Sequence, residues 1–185
     1  MMALSARSRG RGSPNERRSA APEALAPPRG DGAQRQGGYI MMDARELAAK
    51  VGAAMYAADR ASREFMQMEL VSCEPGRAVM RMTVRREMLN GHEICHGGFI
   101  FTLADSTFAF ACNSHNKVTV AAGCSIEFLK PGKLGDVLTC EGVEQVLQGR
   151  HGIYDMKVTN QRGEVVAMFR GNSASIQGTV IPEES

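Results

Sequence analysis

A chain of 185 residues with 43% hydrophobic content holds enough apolar material for one ordinary domain with a real core. Its formal charge of +2 at pH 7 comes from an arginine-rich start rather than a basic face, which argues against a nucleic-acid-binding stripe, and no apolar run approaches the roughly 20 residues that a membrane span needs. Five cysteines, at positions 73, 95, 112, 124 and 140, form neither a CxxC pair nor a disulfide-like spacing, which points to a reducing, cytoplasmic compartment.

The first 40 residues carry seven arginines, no lysine and four of the seven prolines, with almost no bulky aliphatic side chain. Such a segment cannot bury enough apolar surface to offset its ordering entropy. Residues 1–38 are therefore expected to be a disordered basic tail, and 39–185 the folded domain. The tail lacks the apolar stretch of a secretory signal, and Glu16, Glu23 and Asp31 argue against a transit peptide. Met41 or Met42 would serve as the start if the upstream segment is not native.

Asp43-Ala44-Arg45-Glu46 has the spacing of a capping box, and Leu47, Val51, Ala54, Met55 and Ala58 recur at helical intervals. A first helix over 43–58 follows. Residues 65–73 are short and mixed, and Glu74-Pro75-Gly76-Arg77 is turn chemistry that suggests a hairpin. Beyond it Ala78, Met80, Met82 and Val84 alternate with other residues, the pattern of a half-buried strand. From Gly98 to Cys112 the chain is nearly apolar on all sides, so this helix is expected at the centre of the domain, wrapped by strands. The remainder reads as β. Val118, Val120, Ala122, Cys124, Ile126 and Phe128 occupy alternate positions up to Lys130-Pro131-Gly132. A strand over 137–147 shifts its alternation near Gly142, as at a bulge. Tyr154, Met156 and Val158 mark another strand, and Asn160 to Gly163 turns into a last one over 164–176. One buried helix followed by a long antiparallel meander is the element order of an α+β hotdog fold, a curved sheet around a central helix.

His92-Glu93-Ile94-Cys95-His96 matches H-E-x-x-H, whose zinc chemistry needs both imidazoles on one helix face. Here Asn90-Gly91 precedes the match and Gly97-Gly98 follows it, so a turn is expected instead, without metal. His115 and His151 fall in loops or strands and add no third ligand. At the entry to the apolar helix, His96 stands beside two glycines, where unpaired N–H groups suit a developing oxyanion. Gly97 would supply one such N–H. Asp105 is a carboxylate in the middle of an apolar helix, expensive to bury unless it is paired with Ser106 or Thr107 or has a task. Eight residues separate it from Gly97, roughly 12 Å along one helix, so the two cannot touch one carbonyl from the same chain. A second subunit with an antiparallel central helix would bring them together.

Asn90-Gly91-His92, Cys95-His96-Gly97-Gly98, Phe101-x-Leu103-Ala104-Asp105 and Phe108 to Asn113, then Phe128 to Gly132 and Phe169-Arg170-Gly171, together resemble the phenylacetate-degradation thioesterase (PaaI) family of hotdog proteins. The resemblance covers about residues 43 to 180. It implies hydrolysis of an acyl-CoA to a carboxylate and free coenzyme A, with an aryl-acetyl-like acyl group and no cofactor. Gly97 would donate to the thioester oxygen, Asn90 and His96 would orient substrate or water, and Asp105 would be nucleophile or general base. Gly98, Phe128, Lys130, Lys133, Gln148, Gly149 and Arg150 would line the path of the substrate. A homodimer pairing into a tetramer is implied. An acyl-CoA hydratase of the same fold and a non-catalytic acyl-CoA-binding protein are the rival readings.

Overall fold

The structure is a computed structural model, and it describes residues 42–183. The tail expected over 1–38 lies outside the described residues.

Helix α1 (Ala44–Ala58) begins where the capping box predicts: the Glu46 N–H donates to Asp43 Oδ1 at 2.8 Å. A π-helical turn (Ala61–Phe65), which no sequence periodicity announces, leads into the hairpin of β1 (Glu69–Glu74) and β2 (Arg77–Thr83). Gly76 closes that hairpin at φ +68°, a left-handed position that glycine takes without strain. Helix α2 (Gly97–Asn113) follows, then β3 (Thr119–Phe128), β4 (Val137–Gln148), β5 (His151–Thr159) and β6 (Val165–Ser175). The six strands form one antiparallel sheet in the order β1-β2-β4-β5-β6-β3.

α2 packs against one face of this sheet, as its apolar sequence requires. Ile100, Leu103, Ala104, Phe108 and Ala111 are buried against the inward-facing residues of β2, β4, β5 and β6. Phe108 sits 5.5 Å from the Tyr154 ring and 6.0 Å from the Phe169 ring, centroid to centroid. Glycine at 171 lets the β6 backbone reach Phe108, for a Cβ there would stand 2.8 Å from the ring.

Three expectations need correction. The wrapping of α2 is incomplete: Gly98, Thr102, Asp105 and Ala109, spaced to share one face, stay exposed or half-exposed. The irregularity in β4 lies between Glu144 and Val146, whereas Gly142 pairs regularly with Met156. Gly142 breaks the sequence alternation because it is a buried position without a side chain, not because the strand bulges. The even alternation along 118–128 is also interrupted, by a shift between Ala121 and Gly123. β3 is an edge strand paired on one side only, with nearly all its residues exposed.

Candidate functional site

The segment before α2 is built by its own turns. The Asn90 N–H donates to the Ile94 carbonyl at 2.9 Å, while Asn90 Oδ1 accepts from the His92 N–H at 2.9 Å. Glu93 takes φ +57°, outside any helix. His92-Glu93-x-x-His96 is thus a turn, and its two imidazoles share no helix face. Among the described residues no three His, Cys, Asp or Glu side chains gather as a metal site. The Cys95 N–H donates to the Gly132 carbonyl at 2.8 Å, which ties the turn to the β3–β4 loop, and the His96 N–H donates at 2.8 Å to the carbonyl of Met88 in the preceding turn. Burial pushes the Cys95 thiol up to about 11, so it is not a thiolate near neutral pH.

His96 is the N-cap of α2: its Nδ1 accepts the Gly98 N–H at 3.0 Å. That bond assigns the neutral ring's proton to Nε2 and leaves Nε2 as the free edge. It also occupies the Gly98 amide, while the Phe99 amide donates to the His96 carbonyl at 3.0 Å. The Gly97 N–H has no acceptor among the described residues, so it is the free donor at the positive end of α2. It lies in a cleft of about 380 Å³ lined by Asn90, Ile94, Ile100, Phe128 and Lys130. Phe128 approaches so closely that a Cβ on Gly97 would stand 3.0 Å from its ring. With Oδ1 engaged in the turn, the Asn90 side chain keeps its NH₂ for a ligand.

Lys130 and Pro131 also border a second, polar cleft with Lys133, Arg162 and Glu164. Lys130 Nζ lies 2.8 Å from Glu164 and Arg162 Nε 3.0 Å from it. Hydrogen bonds from Lys130, Asn160 and Arg162 pull the Glu164 carboxyl down to about 2. Burial opposes ionisation of Asp136, yet the Lys133 amide, Arg162 and Gln161 outweigh it and hold its carboxyl below the ordinary range. Three cations face two carboxylates there. Sequence reasoning named Lys130 and Lys133 but missed Arg162 and Asp136, which looked like ordinary turn residues.

Asp105 stands apart from this cluster. Ser106 Oγ pairs with Ser62 Oγ at 2.9 Å and Thr107 Oγ1 donates to the Leu103 carbonyl at 2.7 Å, so neither neighbour serves the carboxylate. No described donor hydrogen-bonds to it, and burial raises its carboxyl above the ordinary value of 3.8. A half-buried carboxylate without a partner among the described residues, on the open face of α2, is costly to hold ionised.

Gln148, Gly149 and Arg150 are not brought to Gly97 in one chain. The pairings Gln148 with His151, His151 with Ala174, and Ala174 with Val120 put their turn level with Val120. Phe128 lies eight residues further along β3, roughly 26 Å away at 3.3 Å per residue.

Residues 92–167 match the family model described as the thioesterase superfamily. The chain is 44% identical over 130 residues to the acyl-coenzyme A thioesterase PaaI of Escherichia coli K12, covering 70% of this chain and 92% of the relative. The solved structure of the E. coli PaaI protein from the phenylacetic acid degradation operon superposes with a TM-score of 0.72 at 42% identity, covering 74% of this chain and 99% of that one. A Streptococcus mutans UA159 protein solved bound to acetyl CoA matches with a TM-score of 0.58 at 32% identity, over 60% of this chain and 90% of that one.

Proposed function

Because the chain belongs to the thioesterase superfamily, as a relative of the acyl-coenzyme A thioesterase PaaI, we propose that it hydrolyses an arylacetyl-CoA, such as phenylacetyl-CoA or a hydroxylated derivative. The observation that carries this reading is that one helix, α2, presents both an unengaged amide, Gly97, and an unpartnered carboxylate, Asp105. Gly97 would donate to the thioester oxygen as it becomes anionic, a fixed donor being worth far more once bound substrate excludes water than it is in water. Asp105 would attack the carbonyl carbon or take the proton of an attacking water. The C–S bond then breaks and the thiolate takes up a proton; where Asp105 itself attacked, water next hydrolyses the acyl–Asp105 anhydride, and by either route carboxylate and coenzyme A leave. His96 Nε2 and the Asn90 amide would orient substrate or water.

A second copy of the chain is part of this mechanism. The open edge of β3 and the exposed Gly98-Thr102-Asp105-Ala109 face support a two-fold dimer with antiparallel central helices. Such a dimer brings Asp105 of one copy to Gly97 of the other. Two β3 edges paired antiparallel also set the Val120 end of one copy beside the Phe128 end of the other, so that Gln148, Gly149 and Arg150 would reach the coenzyme from across the dimer. Phe128, Lys130 and Lys133 would contact it from the near side, with Gly98 against the thioester. Dimers pairing into tetramers complete the assembly.

A thiol-release assay over a panel of acyl-CoAs tests this. Turnover is expected to be highest with arylacetyl thioesters. Preference for a straight-chain acyl group would overturn the substrate, and tight coenzyme A binding without hydrolysis of any thioester would favour the non-catalytic reading.

A further inference from the structure

On the flank of α2 opposite Phe128 lies another cleft, of about 340 Å³, lined by Ala61, Phe65, Met66, His96, Gly98, Phe99 and Thr102. This is within the roughly 300–1,000 Å³ of small-molecule sites. Its lining is mostly apolar: Thr102 Oγ1 donates to the Gly98 carbonyl at 2.8 Å and His96 Nδ1 caps the helix, which leaves His96 Nε2 as the free polar atom of these two side chains. The outer wall is the π-helical turn, a geometry that tends to mark functional places.

That turn is held rigidly. Asp59 accepts from the Ser62 N–H at 3.0 Å and from its hydroxyl at 2.6 Å, and Ser62 in turn meets Ser106 of α2. Arg85 donates to the Met66 carbonyl at 2.8 Å and the Phe65 carbonyl at 3.0 Å. All this structure presents Phe65 to solvent with 70% of its surface exposed, beside Phe99 and the buried Met66. A fixed aromatic ring left open at the rim of an apolar cleft is costly unless something covers it.

The two clefts flank the start of α2, Gly97 lining the first and its neighbours His96 and Gly98 the second, and they differ in charge. The Phe128 flank runs past Lys130 to Lys133 and Arg162, which suits the phosphates of coenzyme A. The Phe65 cleft has no lysine or arginine among its lining residues, and Arg85, which holds the Phe65 and Met66 carbonyls from outside it, is paired with Glu87 at 2.6 Å. Resting on the thioesterase reading, we propose that the acyl group of the substrate occupies the Phe65 cleft, its ring held between Phe65 and Phe99, while the coenzyme leaves along the opposite flank. Phe65 and Ala61 are then specificity-determining positions: the first supplies the wall and the second the room.

Both positions are exposed, so substitution leaves the core intact, which thermal melting verifies. The experiment compares kcat/KM for phenylacetyl-CoA and acetyl-CoA in the wild type, Phe65→Ala and Ala61→Trp. Hydrophobic contacts of this size discriminate by roughly 10- to 200-fold. Each variant is expected to lose at least tenfold on phenylacetyl-CoA relative to acetyl-CoA. A loss equal for both thioesters, or no loss, overturns the acyl-cleft assignment alone. Hydrolysis of neither thioester by the wild type overturns the functional reading and this inference with it.

Discussion

Replacing Asp105 by asparagine keeps the side-chain volume and removes the charge, and the structure says what this does to rate and to stability separately. The carboxylate accepts no hydrogen bond from a described residue, so no buried partner is orphaned by the change. Burial raises its folded-state carboxyl above 3.8. Ionised in both states near neutral pH, it then costs stability when folded; as pH falls through the raised value, the native state takes up the proton and that cost is relieved. Asp105→Asn should therefore melt at the wild-type temperature or above it at pH 7, with any gap closing as the pH is lowered. Turnover should fall at least 10²-fold, the usual worth of a general base or nucleophile, which is about 2.7 kcal/mol of transition-state stabilisation. The assay is thiol release under saturating thioester, alongside thermal melts over pH. The wild-type profile should carry an acid limb shifted upward from the ordinary aspartate value, absent from the variant. A loss of tenfold or less, or a large drop in melting temperature, would make Asp105 a structural residue and refute this reasoning.

Other expectations follow from the same geometry. Because residues 92–96 form a turn rather than a helix, chelators should leave activity unchanged, and stoichiometric zinc lost together with activity would contradict this. Gly171→Ala should destabilise by about 1–3 kcal/mol in urea unfolding, since the Phe108 ring it would strike is held between Tyr154 and Phe169; an unchanged midpoint would mean the ring can withdraw. Lysines on the open edge, as in Ala122→Lys with Cys124→Lys, should give monomers by ultracentrifugation and abolish turnover, and an active monomer would remove the second copy from the mechanism.

Much of the fold was legible where side-chain chemistry has a period. Asp43 and Glu46 announced α1, and the apolar run to Cys112 announced a helix that must be covered. The π-helical turn was not legible, since five residues ending in an exposed Phe65 have no period to detect. It is held by a local cap from Asp59 and by Arg85 and Ser106, the latter two contacts set by tertiary structure. Gly142 misled because a missing side chain resembles a break in alternation. The alternation over 118–128 predicted a strand but could not show that both of its faces lie open. At the site, Gly97 and Asp105 could be named from residue types at a helix start and in an apolar helix. The capping role of His96, which occupies the Gly98 amide and leaves that of Gly97, depends on a 3.0 Å contact that no sequence pattern encodes. Arg162 was hidden in the same way, because what makes it notable is Asp136, 26 residues away in sequence.

The composite site can be tested directly by mixing two inactive parents, Asp105→Asn and Gly97→Pro. Proline suits the first position of a helix and removes the free N–H, although its ring must be accommodated beside Phe128. Folding of that parent is checked by melting before mixing. In a heterodimer, one site carries both lesions and the other carries neither. Activity should return to about half the wild-type value per dimer when the two sites act independently, because Gly97 and Asp105 of one chain lie roughly 12 Å apart along α2. No recovery in verified heterodimers of folded parents would mean that both groups serve one site from a single chain.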